Sequence, residues 1–169
     1  MTLALTLALS LAAYAGDFSA SSPELTDGRL KEAHVFKGFG CDGPNESPEL
    51  RWSGVPEGTK SFAVMVHDAD APTGGAGWWH WVVFDIPGSA AGLPHGLTAD
   101  TGMPAGGRLG VTDFGVPGWG GPCPPAGHEP HTYTFTVYAL PIEKLTVPDG
   151  ATASLIGFMV NSQAIGTAQ

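Results

Sequence analysis

The chain has 169 residues, enough for one domain with a substantial core and too few to expect two. With 43% hydrophobic and 14% charged residues, 25 glycines and 15 prolines, it reads as a turn-rich globular protein of many short strands and not as a disordered chain. Sixteen Asp and Glu against seven Lys and Arg give a formal net charge of −9 with no basic run, which argues against nucleic acid and against electrostatic docking on anionic membranes.

The N-terminus, MTLALTLALSLAAYAGDFSA, is apolar and uncharged and runs into Ala13-Tyr14-Ala15, a small-x-small cleavage pattern. Residues 1–15 are therefore read as a signal peptide cut after Ala15, and 16–169 as a single domain. The segment lacks a leading Lys or Arg, and at about 15 apolar residues it is short for a membrane span. Export to the periplasm or beyond is the expectation; a buried N-terminal helix in a cytoplasmic protein is the alternative.

Residues 19–60 read as short strands and loops, with turn signals at Asp27-Gly28, Gly38 to Gly43 and Pro56-Glu57-Gly58. Ser61 to Asp68, SFAVMVHD, reads as a buried strand by length and β-branched content, and Trp79 to Ile86, WHWVVFDI, as a second. Residues 87–130 hold most of the glycine and proline and read as a long irregular excursion, of the kind that is usually functional in a compact domain. A third strand is expected over His131 to Leu140, and a helix over Ala151 to Ile165 with Leu155, Phe158, Met159 and Ile165 on its apolar face.

Cys41 and Cys123 stand eighty-two positions apart. In an exported chain a disulfide between them is the simplest reading; in a cytoplasmic one they are two separate buried thiols.

Strand side chains alternate between faces, which groups Phe62, Val64, Val66 and Asp68 in the first strand. The same rule groups His80, Val82, Phe84 and Ile86 in the second, and His131, Tyr133, Phe135, Val137 and Ala139 in the third. Each face carries its polar residues at one end. If the first strand runs antiparallel to the other two, Asp68, His80, His131 and Tyr133 converge at one edge of the core and make a pocket. Trp79 and Trp81 fall on the face opposite His80, with Trp78 near the rim. Two imidazoles and a phenol supply donors, and a carboxylate fixes a histidine tautomer, so a small oxyanion such as phosphate is the expected guest. Its affinity is expected to rise as the histidines protonate, near pH 6 to 7 for groups at the free value of about 6.5.

The strings FKGFGCDGPNESPELRWSGVPEGTKSFAV (36–64), HDADAPTGGAGWWHWVVFDIP (67–87) and GPCPPAGHEPHTYTFTVYAL (121–140) resemble the phosphatidylethanolamine-binding protein family. The likeness is to its bacterial Raf-kinase-inhibitor-like branch of the YbhB and YbcL type, above all the exported kind with two cysteines at these places. It spans about residues 17–168. The resemblance implies an all-β fold of two packed sheets in a Greek-key arrangement with a short C-terminal helix. It also implies a small anion pocket formed by Asp68, Asp70, His80, the Cys123-Pro124-Pro125 turn, His131 and Tyr133. In this reading the prolines form a rigid rim, tied to the Gly38 to Gly43 loop through Cys41, and the strand beneath delivers His131 and Tyr133. Two positions depart from the branch. Thr112 stands where an Asn usually precedes Asp-Phe-Gly, and the chain stops at Gln169 where relatives continue, which implies an open wall.

The leading functional reading is a non-enzymatic binding protein for a small phosphorylated ligand or a protein partner's charged side chain. No cofactor and no stable membrane association are expected, and a homodimer is implied by the resemblance alone. The alternative is an acid–base lyase, isomerase or hydrolase that uses Asp68 with His80 or His131. No nucleophile has a recognisable setting. A metal site from His128, His131, Cys123 and Asp68 is the weakest reading, because Pro130 separates the two rings at the start of a strand.

Overall fold

The computed structural model describes residues 17–25 and 27–169; the expected leader, residues 1–15, lies outside them. The strands are β1 (Ser19–Ser21), β2 (Lys37–Gly38), β3 (Cys41–Asp42), β4 (Leu50–Ser53), β5 (Ser61–Asp68), β6 (Trp78–Pro87), β7 (Gly92–Leu93), β8 (Arg108–Leu109), β9 (Tyr133–Leu140) and β10 (Gly166–Ala168), with one helix, α1 (Ala153–Gln163). A five-stranded sheet runs β10-β9-β5-β6-β8, a three-stranded sheet runs β1-β4-β7, and β2 and β3 form a separate hairpin. After β6 the chain crosses to the small sheet at β7 and returns at β8, and β9 then passes to the far side of β5, the long return of a Greek key. The fold is the two-sheet, all-β arrangement with a short C-terminal helix that the resemblance implies.

β5 is buried on both faces, which explains its almost unbroken apolar run. One face, with Phe62, Val64 and Val66, packs against Leu50 and Trp52 of the small sheet, and Trp81, Val83, Val137 and Ala139 join that core. The other face, with Ala63 and Met65, packs under α1 at Ile156 and Val160, together with Val82 and Phe84.

β6 does not alternate as its sequence suggests. Along its pairing with β5 the partners step from Val64↔Val83 to Phe62↔Ile86 and from Val66↔Trp81 to His67↔Trp79, so the strand carries extra residues at two points. Each bulge resets the side-chain parity. Val82 and Phe84 therefore face the helix, while Trp81, Val83 and Ile86 face the small sheet. His80 shares the side of Trp81, its immediate neighbour, contrary to the alternation that sets Trp81 opposite it. Trp79 alone takes the opposite face and packs beneath the helix, its indole N–H donating to Ser154 Oγ.

The helix is shorter than expected and buries a different face. Thr152 caps it, accepting the Leu155 N–H on its hydroxyl, and Ala153, Ile156 and Val160 are its buried residues. Gly157 lies against Met65 and Trp79, where even a methyl group would touch the Met65 side chain. That close approach turns Leu155 and Phe158 towards solvent, with Phe158 71% exposed, while Met159 of the expected face packs at the edge of this core and Ile165 lies beyond the helix. The chain's last residues form a strand: Gly166, Thr167 and Ala168 pair with Ala139, Tyr138 and Val137 along the edge of β9.

Candidate functional site

β5 is antiparallel to both β6 and β9, so the C-terminal end of one strand meets the N-terminal ends of two others. The register sets Asp68 opposite Trp78 on one side and Tyr133 on the other. Here the strands frame a cavity of about 270 Å³. Six of the eight expected binding residues line it: Asp68, His80, Cys123, Pro125, His131 and Tyr133. His131 does so from just before β9, which begins at Tyr133 and not at His131.

Asp68 is 3% exposed, and its carboxylate is well used. Oδ1 accepts the Asp70 backbone N–H at 2.9 Å, Oδ2 accepts His131 Nδ1–H at 2.7 Å, and His80 Nε2 stands 3.8 Å from the same Oδ2. His80 donates Nδ1–H to the Gly120 carbonyl, while the Gly120 N–H donates to the His80 carbonyl at 2.8 Å. This fixes the neutral tautomer and turns Nε2 towards Asp68. Burial holds the His80 pKa below the ordinary histidine value, against the opposing pull of the Gly120 carbonyl and the Asp68 charge.

Tyr133 completes the base. Its ring meets His80 edge-on at 5.0 Å, and its buried hydroxyl has no partner among the described residues. Burial, then the charges of Asp68 and Asp70, push the phenol pKa well above its usual value. The Trp78 indole N–H is likewise buried and unpartnered. Two donors without acceptors beside one cavity are unusual in a folded protein.

The other two expected residues lie elsewhere. Asp70 accepts the Thr132 backbone N–H on Oδ2 at 2.7 Å, so its carboxylate ties the turn after β5 to the start of β9. Pro124 lines a neighbouring groove with Leu30 and Pro130, which shares His131 and Tyr133 as its wall. Cys41 and Cys123 are joined in a disulfide, with Cα atoms 6.1 Å apart, and this bond ties the proline-rich rim to the β2–β3 hairpin.

The middle loop supplies what the sequence reading missed. Asp113 accepts the Trp79 N–H on its carboxylate at 2.8 Å and returns its own N–H to the Trp79 carbonyl, which places Phe114 in the cavity wall. Phe114 lies edge-on to both His80 and Trp78. It packs so closely on Gly120 that an added Cβ would sit 2.3 Å from its ring. Asn45 holds the same wall, its amide donating to the Trp119 carbonyl and its Oδ1 accepting the Gly121 N–H. Thr112 is buried and its hydroxyl donates to the Val116 carbonyl, so it shapes the loop and does not line the cavity. The only sequence signal for this wall is the Asp-Phe-Gly turn followed by glycines.

Phe39 is the other unforeseen wall residue. It and Gly40 form the two-residue turn of the β2–β3 hairpin, with φ of 54° and 95°. Positive φ at both positions marks the turn type that favours Asn-Gly, and a bulky residue there costs roughly 1–2 kcal/mol.

His128 and His131, whose rings need not face one point across Pro130, meet: His128 Nδ1 is 3.2 Å from His131 Nε2. Among the described residues, no group of three or more His, Cys, Asp or Glu side chains is arranged to hold a metal ion.

The family described as phosphatidylethanolamine-binding protein matches residues 21–169 of the chain. The Escherichia coli K12 protein YbcL is 49% identical over 164 residues, covering 95% of this chain and 89% of its own length. YbhB of the same strain is 48% identical, covering 87% of this chain and 93% of its own. The crystal structure of E. coli YbcL, described as a member of the mammalian PEBP family, superposes with a TM-score of 0.85 at 50% identity, covering 90% of this chain and 94% of that one. A Mycobacterium tuberculosis relative with a lipoprotein name, LppC, is 41% identical over 88% of this chain and 68% of its own.

Proposed function

The chain belongs to the phosphatidylethanolamine-binding protein family, and from that premise we propose that it is an exported, non-enzymatic binding protein whose cavity takes a small phosphate-type anion. One observation carries the reading: the Tyr133 hydroxyl and the Trp78 indole N–H are buried without acceptors beside the same cavity into which His80 projects. An oxyanion supplies acceptor oxygens to both of these donors, and to His80 Nε2 once that atom takes a proton. The oxygens of Asp68 and Asp70 are engaged by His131 and by the Asp70 and Thr132 amides, which screens their charge without removing it.

His80 is the element that responds to pH. Its depressed pKa keeps it neutral at neutral pH, with a lone pair and not a proton on Nε2. Taking a proton turns that atom into a charged donor, so anion affinity rises as pH falls through the histidine range. The sulfur of Cys123 is held in the disulfide and so is no free nucleophile at the cavity. Export accords with that disulfide and with the lipoprotein name of LppC. Among the described residues no helix is long and apolar enough to cross a membrane.

Calorimetric titration at pH 6 with phosphate, phosphoethanolamine and phosphocholine tests the proposal. Binding to the wild type that disappears in His80→Ala is the expected result. If the wild type binds none of them, the anion reading is wrong and the function belongs to an outer surface and a protein partner. Turnover of a phosphorylated substrate that is lost in His80→Ala would instead favour the enzymatic alternative.

A further inference from the structure

We propose that Phe39 is a specificity-determining residue of the cavity, selecting ligands in which a flat apolar group directly follows the anionic head, as in an aryl phosphate. The inference rests on the anion reading above and adds to it what the ligand carries beyond the anion.

Phe39 is 76% exposed at the tip of the β2–β3 hairpin, yet it lines the same cavity as His80. Hairpin formation does not call for a phenylalanine there, since a turn with positive φ at both central residues is better served by Asn-Gly. Strain of this kind persists where the surroundings over-determine it and clusters at ligand clamps. The surroundings do so here. The adjoining Cys41 is tied to Cys123 across the rim, and the Phe39 ring lies 5.9 Å from Phe114 at an interplanar angle of 22° and 5.5 Å from Phe36.

Phe114 is the link to the base of the cavity, with its ring 5.3 Å from that of His80. Aromatic surface therefore runs without interruption from His80 to the exposed face of Phe39. A ligand whose head is held at His80 and whose next group is planar and apolar lays that group along Phe114 and Phe39. A bare phosphate leaves this surface in water, and a polar extension gains little from it.

The test is titration calorimetry at pH 6 on the full disulfide-bonded chain with inorganic phosphate, phosphoethanolamine and phenyl phosphate, using the wild type and Phe39→Asn. Asn suits the turn, so the variant is expected to fold with an unchanged or higher Tm. The expected result is a wild type that binds phenyl phosphate about tenfold more tightly than inorganic phosphate, from ring stacking and burial together. In Phe39→Asn that preference disappears, and phenyl phosphate and inorganic phosphate bind with equal affinity. Equal affinities in the wild type, a preference that survives in Phe39→Asn, or a Phe39-dependent gain for phosphoethanolamine instead would each overturn the inference while leaving the anion reading intact. Binding of none of the three probes overturns both.

Discussion

Two carboxylates are buried in the central sheet, and they are held in opposite ways. Asp85, in β6, has a fully buried side chain that accepts Arg108 Nε–H at 2.6 Å and the Leu145 N–H at 2.7 Å, with Lys144 Nζ at 4.0 Å. Its partners are permanent cations and a backbone amide, and it lines neither of the cavities described above. Asp68, at the end of β5, has two histidines as its side-chain partners and stands at the cavity. A buried charge compensated by fixed cations is part of the scaffold. One whose side-chain partners are imidazoles and not fixed cations, beside an open volume, is poised to respond to a ligand.

Removing the scaffold carboxylate is the largest break in that comparison. Asp85→Ala strands the Arg108 cation and the buried Leu145 amide, and it puts alanine at a φ of 57°, a conformation that Asp tolerates better. Arg108 is partly exposed and can rehydrate, so the expected loss of stability is about 3 kcal/mol, below the full cost of breaking a buried pair. Urea unfolding checks it, and phosphate affinity measured on the folded variant should not change. A loss of affinity equal to that of His80→Ala would erase the distinction between the two sites.

Gly120→Ala attacks the functional side through its backbone. The new Cβ would lie 2.3 Å from the Phe114 ring, which lines the cavity. Overpacking of this kind costs about 2 kcal/mol. Because the Gly120 carbonyl also holds His80 Nδ1–H, the variant should weaken phosphate binding as well as stability, unlike Asp85→Ala. A loss of stability with unaltered binding would mean that Phe114 moves without disturbing His80.

Asp68→Asn has a smaller expected effect on stability, about 1.5 kcal/mol for one charge-assisted hydrogen bond. Its diagnostic readout is pH. The Asp68 charge favours the protonated form of His80, so without it the decline of phosphate affinity with rising pH should move to more acid pH. A profile that does not move would separate His80 from Asp68 and leave Asp68 a structural role like that of Asp85.

The convergence of Asp68, His80 and His131 was legible in the sequence because each strand bears its polar residues at one end, and antiparallel pairing brings those ends together. The parity of β6 was not legible. WWHWVVFDIP contains no glycine and only a terminal proline, so nothing in it marks the two bulges, although the bulge beside His80 is what puts that ring on the Asp68 side. Strict alternation put His80 in the cavity alongside Val82 and Phe84, which in fact face the helix. The helix face was misread for a related reason: Gly157 carries no hydrophobic signal, but its lack of a side chain decides which side lies against Met65. The aromatic collar escaped notice because Phe36, Phe39 and Phe114 are far apart in sequence and are gathered by the hairpin, the disulfide and the Asp113 clamp.

The smallest expected effect compares two histidines. His80 has a depressed native pKa, so below the unfolded value of about 6.5 the unfolded chain binds a proton that the native chain refuses, and stability falls as pH drops through that window. His95 behaves oppositely. Burial tends to lower its pKa, but hydrogen bonds to Glu24 at 2.9 Å and Glu46 at 3.0 Å raise it overall. Its contribution is complete below the unfolded value and is lost as pH rises through the native one. The depressed pKa of Glu24 acts only at still lower pH, as that carboxylate protonates below its ordinary 4.5. Stability should therefore peak near the free histidine pKa, with His80 shaping the acid flank and His95 the alkaline one. The alkaline flank is shallow, under about 1 kcal/mol, because His95 and its partners are substantially exposed and screened. Urea midpoints measured from pH 5 to 8 should lose the acid slope in His80→Ala and the alkaline slope in His95→Ala. Because phosphate binding favours protonated His80, saturating phosphate should flatten the acid slope of the wild type and leave that of His80→Ala unchanged. If phosphate instead alters only the alkaline flank, the anion is bound near His95, and the buried cluster at Asp68 is scaffold like Asp85.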